Sequence, residues 1–448
     1  MQDFMQKLKR LQQWLSFALL GCLTVLVVIG LNNNPVLLAQ PSPTWRPVAA
    51  HRVDRGNIKI VWLTGTPYDM GYQHGSLLHD EIGSMGQEII SGLDLVGHGL
   101  GLAQLARRRS SPEIAEECRG LADATADLGM TADGCMALAF GDVFQEFFTY
   151  TIPNLLFNDG CAQFAAAGPA TADGRLYHGG TLDNDGKPID YWIKNSTVFV
   201  RQPTNGIPHV FIGVPGALWP NSGINASGIS VALDTAHPNR VTDLDLDRGG
   251  SNVQLMNKIL FQARSLEDAI AIFEASPRMR ANLIMVTDGK AKRAGVFELL
   301  GNTYALRELN ENGVVYMTNH FVSSELAGRD EQPIEESSPI RYDRLTQLLE
   351  PDHPDSWHSK IDPVVMTKIL RDRTNPYTFE TSDVNLYDDN MSPGGNGSLR
   401  QVTFDPERKL FWIAAGEPPV PENPFLCFSL DELLELPNGE RCAAPAIE

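Results

Sequence analysis

The sequence predicts an α+β fold in which two antiparallel sheets lie between two helix layers, with a helical segment ahead of the sandwich. Three observations favour this class. Helical patterns dominate residues 66–150, short strands with turn signals begin after residue 160, and groups of strands and helices then alternate to residue 415. The chain has 448 residues, 43% of them hydrophobic and 20% charged, so it is long enough to bury a large core and is not a disordered protein.

The first 39 residues are predicted to be a signal peptide or a membrane anchor. Basic residues near the N terminus precede an apolar run over residues 14–31, and the small residue Ala39 stands where a signal peptide would be cut. An apolar run of about 17 residues can also be retained as an anchor. Either outcome places the remaining chain outside the cytoplasm, in the periplasm or secreted, because no later segment approaches the length of a membrane span.

Residues 40–57 are predicted to form a proline-rich linker, and residues 58–63 a first strand. Helices follow, each with a Ser or Thr at its N-cap and two of them with proline in the first turn. The predicted helices cover residues 66–77, 111–128 and 131–147. Segment 58–160 is therefore expected to be mainly helical.

After residue 160 the pattern changes to short apolar strands separated by turn residues. The predicted strands cover residues 162–167, 175–182, 197–201, 209–213, 228–233, 283–287, 294–299, 303–308, 313–317, 399–404 and 410–415. Helices are predicted at 252–274, 338–349 and 362–373. Strands and helices grouped in this way predict a sandwich over residues 161–448.

The charge and the histidines exclude several classes of function. A formal net charge of −19 argues against nucleic-acid binding. His74, His79 and His178 do not stand at ligand spacing with cysteines or carboxylates, so they are interpreted as structural. The acidic run 242–247 lacks the glycine and the closing glutamate of a calcium loop. No metal and no cofactor is expected.

An odd number of cysteines remains if the signal peptide is removed. Pairing Cys118 with Cys135 and Cys427 with Cys442 would close two short loops and leave Cys161 unpaired. Other connectivities, and buried reduced thiols, stay open at the level of sequence.

Cys161 is the main candidate for chemistry. It follows Asp159-Gly160, opens a predicted strand and precedes Asp183 by 22 positions. If the chain is cut before Cys161, the freed α-amine lies on the same residue as the thiol. An amine with a pKa near 8 can take the thiol proton without a separate histidine.

Four segments in a fixed order carry a resemblance to a known family. They are Gly65–Gly75, Glu117–Ala122, Asp159–Asp183 and Asn225–Val231. Together they resemble the cysteine N-terminal-nucleophile hydrolases related to acyl-coenzyme A:6-aminopenicillanic acid acyltransferase, and more distantly the choloylglycine hydrolases and penicillin V acylases. The similarity covers most of the chain after residue 58 and implies the N-terminal-nucleophile αββα sandwich.

The resemblance implies that the precursor cuts itself between Gly160 and Cys161. Residues 58–160 would then be a small chain and residues 161–448 a large chain that stay associated. Asp183 resembles the aspartate that orients the new amine, although an aspartate in a turn is the simpler alternative. Asn319 resembles a side-chain donor to the oxyanion, although asparagine at a strand end is often a turn former.

Two further residues complete the implied site. A backbone amide near Asp234 resembles the second oxyanion donor. Arg341 resembles the arginine that neutralises charge beside the nucleophile, with a solvated arginine in the first turn of a helix as the alternative. The sequence departs from the pattern at Gly180, where choloylglycine hydrolases carry arginine, and at Asp234, where relatives often carry asparagine. Bile-salt-like substrates therefore lose support.

These inferences predict an exported, self-processing amidohydrolase that cleaves a linear amide of a small acylated substrate through a Cys161 thioester. Coenzyme A thioesters are cytosolic, so hydrolysis is favoured over acyl transfer, which stays an alternative. A non-catalytic secreted scaffold that binds a ligand is the second alternative, kept open by Gly180 and Asp234. A papain-like protease is disfavoured because the residues expected around its cysteine are missing.

Overall fold

The structure is a computed structural model. It describes residues 47–141, 160–183, 189–240, 243–245, 247–330, 334, 336–381, 391–395 and 397–448. The predicted signal or anchor, the first part of the predicted linker and the end of the predicted helix 131–147 lie outside these residues.

Sixteen strands are defined in the described part of the chain. In order they are β1 (His51–Arg55), β2 (Ile58–Gly65), β3 (Ala162–Ala166), β4 (Tyr177–Asp183), β5 (Thr197–Pro203), β6 (His209–Gly213), β7 (Ser222–Asn225), β8 (Ile229–Thr235), β9 (Ala281–Asp288), β10 (Arg293–Leu300), β11 (Thr303–Glu308), β12 (Val314–Met317), β13 (Ser398–Asp405), β14 (Leu410–Ala415), β15 (Phe425–Ser429) and β16 (Ala446–Ile447). Every predicted strand is confirmed to within a few residues.

The α-helices of the same residues fall into an N-terminal group and a group within the sandwich. They are α1 (Pro67–Leu77), α2 (His79–Gly83), α3 (Gln87–Asp94), α4 (Leu102–Arg109), α5 (Pro112–Ala124), α6 (Ala132–Ala139), α7 (Ile189–Lys194), α8 (Asn252–Gln262), α9 (Leu266–Ala275), α10 (Ser337–Leu349), α11 (Pro363–Leu370) and α12 (Leu430–Leu433). A π-helical turn, Leu95–Gly99, joins α3 to the chain before α4. The predicted helix block 252–274 is two helices, since Ser265 caps a new one.

The strands form two sheets. One has nine strands in the order β1-β2-β5-β6-β7-β8-β9-β10-β11, and the other has seven in the order β12-β3-β4-β13-β14-β15-β16. The prediction of purely antiparallel sheets is wrong at one place, because β2 and β5 pair in parallel. Parallel neighbours need a long crossover, and residues 66–196 provide it.

The two sheets pack face to face and carry helices on their outer faces. Ala165 and Met317 of the seven-stranded sheet share one apolar cluster with Leu283 and Val296 of the nine-stranded sheet. The outer face of the nine-stranded sheet is covered by the N-terminal helices and by α8 and α9. Helices α10 and α11 cover the seven-stranded sheet. The predicted αββα sandwich is confirmed.

Helices α1 and α5 approach each other closely. A Cβ atom on Gly71 would overlap the backbone of Glu117, and one on Gly120 would overlap the carbonyl oxygen of Tyr68. Two of the family-like segments are therefore explained by close helix packing, which only glycine permits at these positions.

Two disulfides join neighbouring elements. Cys118 of α5 is bonded to Cys135 of α6, and Cys427 of β15 is bonded to Cys442. Both local pairings considered from the sequence are confirmed. Cys161 belongs to neither disulfide.

The predicted linker contains a strand that sequence reasoning missed. Strand β1 forms a hairpin with β2, in which Val53 faces Ile60. The connecting residues are Gly56 and Asn57, and Gly56 has a positive φ of 59°. A two-residue Gly-Asn step between apolar stretches is a hairpin signal that the proline-rich composition obscured.

In the described ranges, no single helix is long and apolar enough to cross a membrane. The bent pair formed by residues 87–99 and 102–109 reaches that length and composition only when its two parts are taken together.

Candidate active site

The five predicted site residues lie at the ends of elements that converge between the sheets. Cys161 precedes β3 and Asp183 ends β4, its antiparallel neighbour. Asp234 lies near the end of β8, Asn319 follows β12, and Arg341 belongs to α10. Hydrogen bonds join Cys161 to Asp183 and to Arg341, and Arg341 to Asn319, whereas Asp234 is connected to Asp183 through Gln163 and Thr181.

Cys161 is buried at the start of β3. The residue is only 3% exposed, and its Sγ lies 3.9 Å from the carbonyl oxygen of Asp183. The next residue, Ala162, donates its backbone N–H to Thr181 Oγ1 at 3.2 Å. The thiol is therefore held at the last residue of β4, where a nucleophile and Asp183 would have to meet.

Asp183 is the last residue of β4 and is fully buried. Its Oδ2 accepts a hydrogen bond from Thr181 Oγ1 at 2.7 Å, and its Oδ1 accepts one from Ser398 Oγ at 2.6 Å. Burial raises the pKa of Asp183 from 3.8 to about 7, against the opposing effect of both hydroxyls and of Arg341. A cation placed beside this carboxyl would favour its charged form.

Arg341 connects the nucleophile to Asn319. It is fully buried and not solvated, with Nη1 donating to the carbonyl oxygen of Cys161 at 2.6 Å and Nη2 donating to Asn319 Oδ1 at 2.8 Å. Its Nε donates to Ser337 Oγ at 2.9 Å. The guanidinium thus holds both residues at fixed positions relative to α10.

These contacts also determine how the Asn319 amide is turned. Arginine has only donors, so the atom facing Arg341 must be the oxygen of the amide. The nitrogen Nδ2 then points the other way and donates to the carbonyl oxygen of Thr235 at 2.9 Å. Asn319 therefore presents an N–H donor beside the end of β8, where Asp234 also lies.

Asp234 is linked to the nucleophile strand by Gln163. The Gln163 amide donates to Asp234 Oδ1 at 2.9 Å and to the carbonyl oxygen of Thr181 at 3.1 Å. Both Asp234 and Gln163 are buried. The aspartate at this position is thus matched by an amide donor two residues after Cys161.

Gln163 also explains the glycine at position 180. Gln163 and Gly180 are directly opposite across β3 and β4, and a Cβ on Gly180 would overlap the Gln163 amide. An arginine cannot be accommodated here while Gln163 keeps its two hydrogen bonds. The departure at Gly180 and the departure at Asp234 are therefore parts of one local arrangement.

Arg400 is another buried cation beside these residues. It lies on β13 opposite Leu182, and its guanidinium donates to the carbonyl oxygen of Gly213 at 2.6 Å and to Asn221 Oδ1 at 2.5 Å. Burial lowers the pKa of Arg400 to about 9. Arg400 and Gln163 line the same inter-sheet cavity of about 20 Å³.

Sequence reasoning missed four residues of this arrangement: Gln163, Thr181, Ser398 and Arg400. The period of two along a strand could have placed Gln163 on the face of Cys161, and Thr181 on that of Asp183. No motif identifies Ser398 or Arg400, because only the pairing of β13 with β4 brings them here.

The three histidines considered from the sequence have separate environments. His74 accepts a hydrogen bond from the backbone N–H of Gly216, and His178 is bonded to Ser230. Burial lowers the pKa of both to about 3, so they are neutral. His79 is bonded to Asp127. Within the described ranges, no group of three or more His, Cys, Asp or Glu side chains is placed to hold a metal ion.

The raised pKa of Asp183 predicts a pH dependence of stability. In an uncut chain carrying Cys161→Ala, the folded state binds the Asp183 proton more tightly than the unfolded state does. The bound proton stabilises the folded state fully below pH about 4, and this stabilisation is lost as the pH rises to about 7. The free energy of unfolding should therefore fall by up to about 4 kcal/mol over this range.

Urea unfolding from pH 4 to 8 measures this effect. Adding Asp183→Asn to Cys161→Ala should remove this part of the pH dependence, while the raised pKa values of Asp330 and Asp405 contribute equally to both variants. If the free energies of unfolding of the two variants changed with pH in parallel, Asp183 would not have a raised pKa in the uncut chain.

Comparison with known proteins identifies the family. A model of the acyl-coenzyme A:6-aminopenicillanic acid acyl-transferase family matches residues 179–419, which is more than half of the 448-residue chain. The match includes Asp183, Asp234, Asn319 and Arg341 and begins after Cys161. The resemblance stated from sequence segments is confirmed.

One curated relative is an uncharacterized protein of Archaeoglobus fulgidus, 24% identical over 382 residues. The alignment covers 75% of this chain and 61% of the relative, so this chain spans less than two thirds of that protein's length.

Solved structures with a similar chain path include three at low similarity. The Caenorhabditis elegans N-acylethanolamine-hydrolyzing acid amidase ortholog has a TM-score of 0.39 and 14% identity, covering 55% of this chain and 93% of its own. Penicillin V acylase from Agrobacterium tumefaciens has a TM-score of 0.37 and 13% identity, covering 60% and 86%. A variant of conjugated bile acid hydrolase from Clostridium perfringens has a TM-score of 0.38 and 11% identity, covering 61% and 93%.

All three of these TM-scores lie below 0.5, whereas the family match covers more than half of the chain. Given that match over more than half its length, the chain belongs to the acyl-coenzyme A:6-aminopenicillanic acid acyl-transferase family.

Proposed function

We propose that the protein is an exported amidohydrolase that cuts its own chain between Gly160 and Cys161 and then cleaves a linear amide of a small acylated molecule. The observation that carries the proposal is the double contact of Arg341, which joins the carbonyl oxygen of Cys161 to the side chain of Asn319. The residue that carries the buried thiol is thereby held beside an oriented amide donor, and the buried carboxyl of Asp183 lies on the neighbouring strand.

The self-cleavage step needs only the residues at the junction. The Cys161 thiol attacks the carbonyl carbon of Gly160, and the amide nitrogen of Cys161 leaves as an amine that takes up the thiol proton. Water then hydrolyses the thioester, which frees the thiol and leaves Gly160 as a carboxylate. Glycine at position 160 carries no side chain to crowd the attack.

Turnover of substrate reuses the same thiol. The new α-amine takes the Cys161 thiol proton, the thiolate attacks the amide carbonyl carbon, and the leaving amine takes the proton back. Water then hydrolyses the acyl thioester, with the α-amine as general base. The ammonium that forms transiently would hold the pKa of Asp183 below its value in the uncut chain, so that the carboxylate can orient it.

The oxyanion formed at each attack requires donors aimed at it. Asn319 Nδ2 is the side-chain donor: one of its two hydrogens bonds the carbonyl oxygen of Thr235, and the other can donate to the oxyanion. A backbone amide near Asp234 is the second donor. Arg341 keeps the Asn319 oxygen engaged, so the amide cannot rotate to present its oxygen to the oxyanion.

Export is part of the proposal. The apolar run 14–31 with Ala39 supports it, and so do two disulfides, because disulfides persist mainly in oxidising compartments. Outside the cytoplasm the enzyme would rarely meet coenzyme A thioesters, so water is the expected acyl acceptor. If residues 14–31 are retained as an anchor, the enzyme stays attached to the membrane, and if they are removed it is released. The proposed chemistry is the same in both cases.

Acyl transfer to an amine is the second candidate function. It is favoured by the match to a family named for an acyl-transferase. The two functions share the Cys161 thioester and differ in the acceptor, so adding a primary amine during turnover separates them. If the acylated amine forms in preference to the free acid, the function is acyl transfer and not hydrolysis.

The test uses the wild-type protein. Intact-mass measurement and N-terminal sequencing should find a large chain that begins at Cys161, together with a small chain that ends at Gly160. Iodoacetamide should label Cys161 rapidly and stop hydrolysis of a panel of N-acyl amides. A single uncut chain that turns over these amides, or a cut at another residue, would refute the mechanism. A cut protein that never forms an acyl-enzyme would support the ligand-binding scaffold.

A further inference from the structure

A cavity of about 440 Å³ lies on the other side of the nine-stranded sheet from the inter-sheet site. It is lined by α1, the junction of α4 with α5, strands β5 and β6, helix α8 and the end of α9. This volume is within the range of small-molecule sites, and none of the five candidate catalytic residues lines it. The mechanism above therefore leaves this cavity unused.

The lining of the cavity is basic in a protein that is strongly acidic overall. Five cationic side chains line it: Arg108, Arg109, Arg201, Arg248 and Lys258. The acidic side chains are Glu113 and Glu117. Against a formal net charge of −19 for the whole chain, this local excess of positive charge favours an anionic ligand.

Ion pairing within the protein neutralises only part of that charge. Arg201 and Glu117 form a buried two-fold pair, with both nitrogen–oxygen distances at 2.6 Å. Arg248 lies 3.5 Å from Asp245 at the surface. In the described ranges, Arg108 and Lys258 have no carboxylate partner, and Lys258 Nζ instead contacts Ser276 Oγ at 3.3 Å.

Two of the basic side chains, Arg109 and Lys258, contact neighbouring segments of the cavity wall. Arg109 donates to the carbonyl oxygens of Gly249 and Asp247. Gly250 is bonded through its N–H to the carbonyl oxygen of Pro277, next to the Ser276 that contacts Lys258. The loop that Arg109 contacts and the chain segment that carries Ser276 are therefore hydrogen-bonded neighbours in the wall of the cavity.

The rest of the lining is apolar. Met70, Ile114, Leu255 and Phe261 line the cavity together with two prolines. These side chains favour a hydrocarbon portion in the ligand, because burying apolar surface stabilises the complex. A fully polar anion such as inorganic phosphate would leave them without a contact.

We propose that this cavity is a binding site for a small amphipathic organic anion, with its anionic head at Lys258 and Arg108 and its hydrocarbon portion against Ile114, Leu255 and Phe261. The inference does not depend on the proposed amidohydrolase function. If the chain is cut before Cys161, the ligand would contact both chains, since α1, α4 and α5 precede the cut and the other walls follow it.

Isothermal titration with octanoate tests the proposal on the intact protein. Octanoate should bind in a saturable manner and raise Tm, and octylamine and octanol should bind much more weakly. Lys258→Gln should weaken octanoate binding by about tenfold, because a charge-assisted contact is lost. Octyl phosphate shows whether the head site also accepts a phosphate.

Lys360→Gln is the matched control, since Lys360 is an exposed lysine outside this cavity. It should leave octanoate affinity unchanged, and circular dichroism should show that both variants are folded. Leu255→Trp, which fills the cavity, should also reduce octanoate binding while Cys161 labelling by iodoacetamide stays as in the wild type. Equal affinities for Lys258→Gln and Lys360→Gln, or equal binding of octanol and octanoate, would overturn the proposal.

Discussion

Replacing Cys161 with alanine is expected to leave the chain uncut and to lower amide turnover by on the order of 10⁴-fold or more. The thiol is the attacking group in both reactions, and Cys161 belongs to neither disulfide. Electrophoresis and intact mass report the cut, and a chromogenic N-acyl amide reports turnover. Because the fold already surrounds the buried thiol in the uncut chain, circular dichroism should be unchanged.

Cys161→Ser is the informative companion variant. A serine hydroxyl keeps an attacking oxygen in the same place but is a weaker nucleophile at neutral pH. This variant is expected to be cut slowly or in part, and to turn over substrate far more slowly than the wild type. A Cys161→Ala chain that is still cut before residue 161 would show that another group performs the cleavage.

Asn319→Ala is expected to lower kcat by about 10² to 10³-fold through loss of an oxyanion donor. The change should appear in kcat more than in KM, because the donor acts on charge that develops in the transition state. Steady-state kinetics with the same chromogenic amide measures both constants. Self-cleavage should slow as well, since it passes through an oxyanion at Gly160.

Asn319→Asp separates this role from a purely structural one. Aspartate keeps an oxygen acceptor for Arg341, whose Nη2 contacts Asn319 Oδ1 at 2.8 Å, but it has no N–H to offer an oxyanion. Its kcat should fall as far as that of Asn319→Ala. The exposed Asn239 provides the control, and Asn239→Ala should be active. If Asn319→Asp had the kcat of the wild type, Asn319 would not be an oxyanion donor.

The element pattern was largely predictable because its signals are local. Strand periodicity, N-cap residues and first-turn prolines depend on neighbouring residues, and Thr66 with Asp69 forms the reciprocal cap that such a sequence favours. The β1–β2 hairpin was missed although Gly56-Asn57 is a turn signal. The parallel pairing of β2 with β5 was beyond local signals, since those strands are separated by residues 66–196.

The candidate site also combines features that the sequence predicts with features that depend on the tertiary structure. Cys161 could be named from its position after Asp159-Gly160, and Asp183, Asn319 and Arg341 from the family resemblance. The position of Arg341 between the Cys161 carbonyl and Asn319 could not, because it requires α10 to pack against the seven-stranded sheet. The hydrogen bond from Ser398 to Asp183 could not be predicted from the sequence either, because it follows from the pairing of β13 with β4.

Residue identity alone established the family-like segments, the six cysteines and the chemistry that Cys161 can perform. Only the tertiary structure decided that both disulfides are local, that Asp183 is buried enough to hold a proton at a pKa of about 7, and that Gly180 faces Gln163. The physical reason is that reactivity of a side chain type is intrinsic, whereas desolvation and hydrogen bonding depend on groups that are distant in sequence.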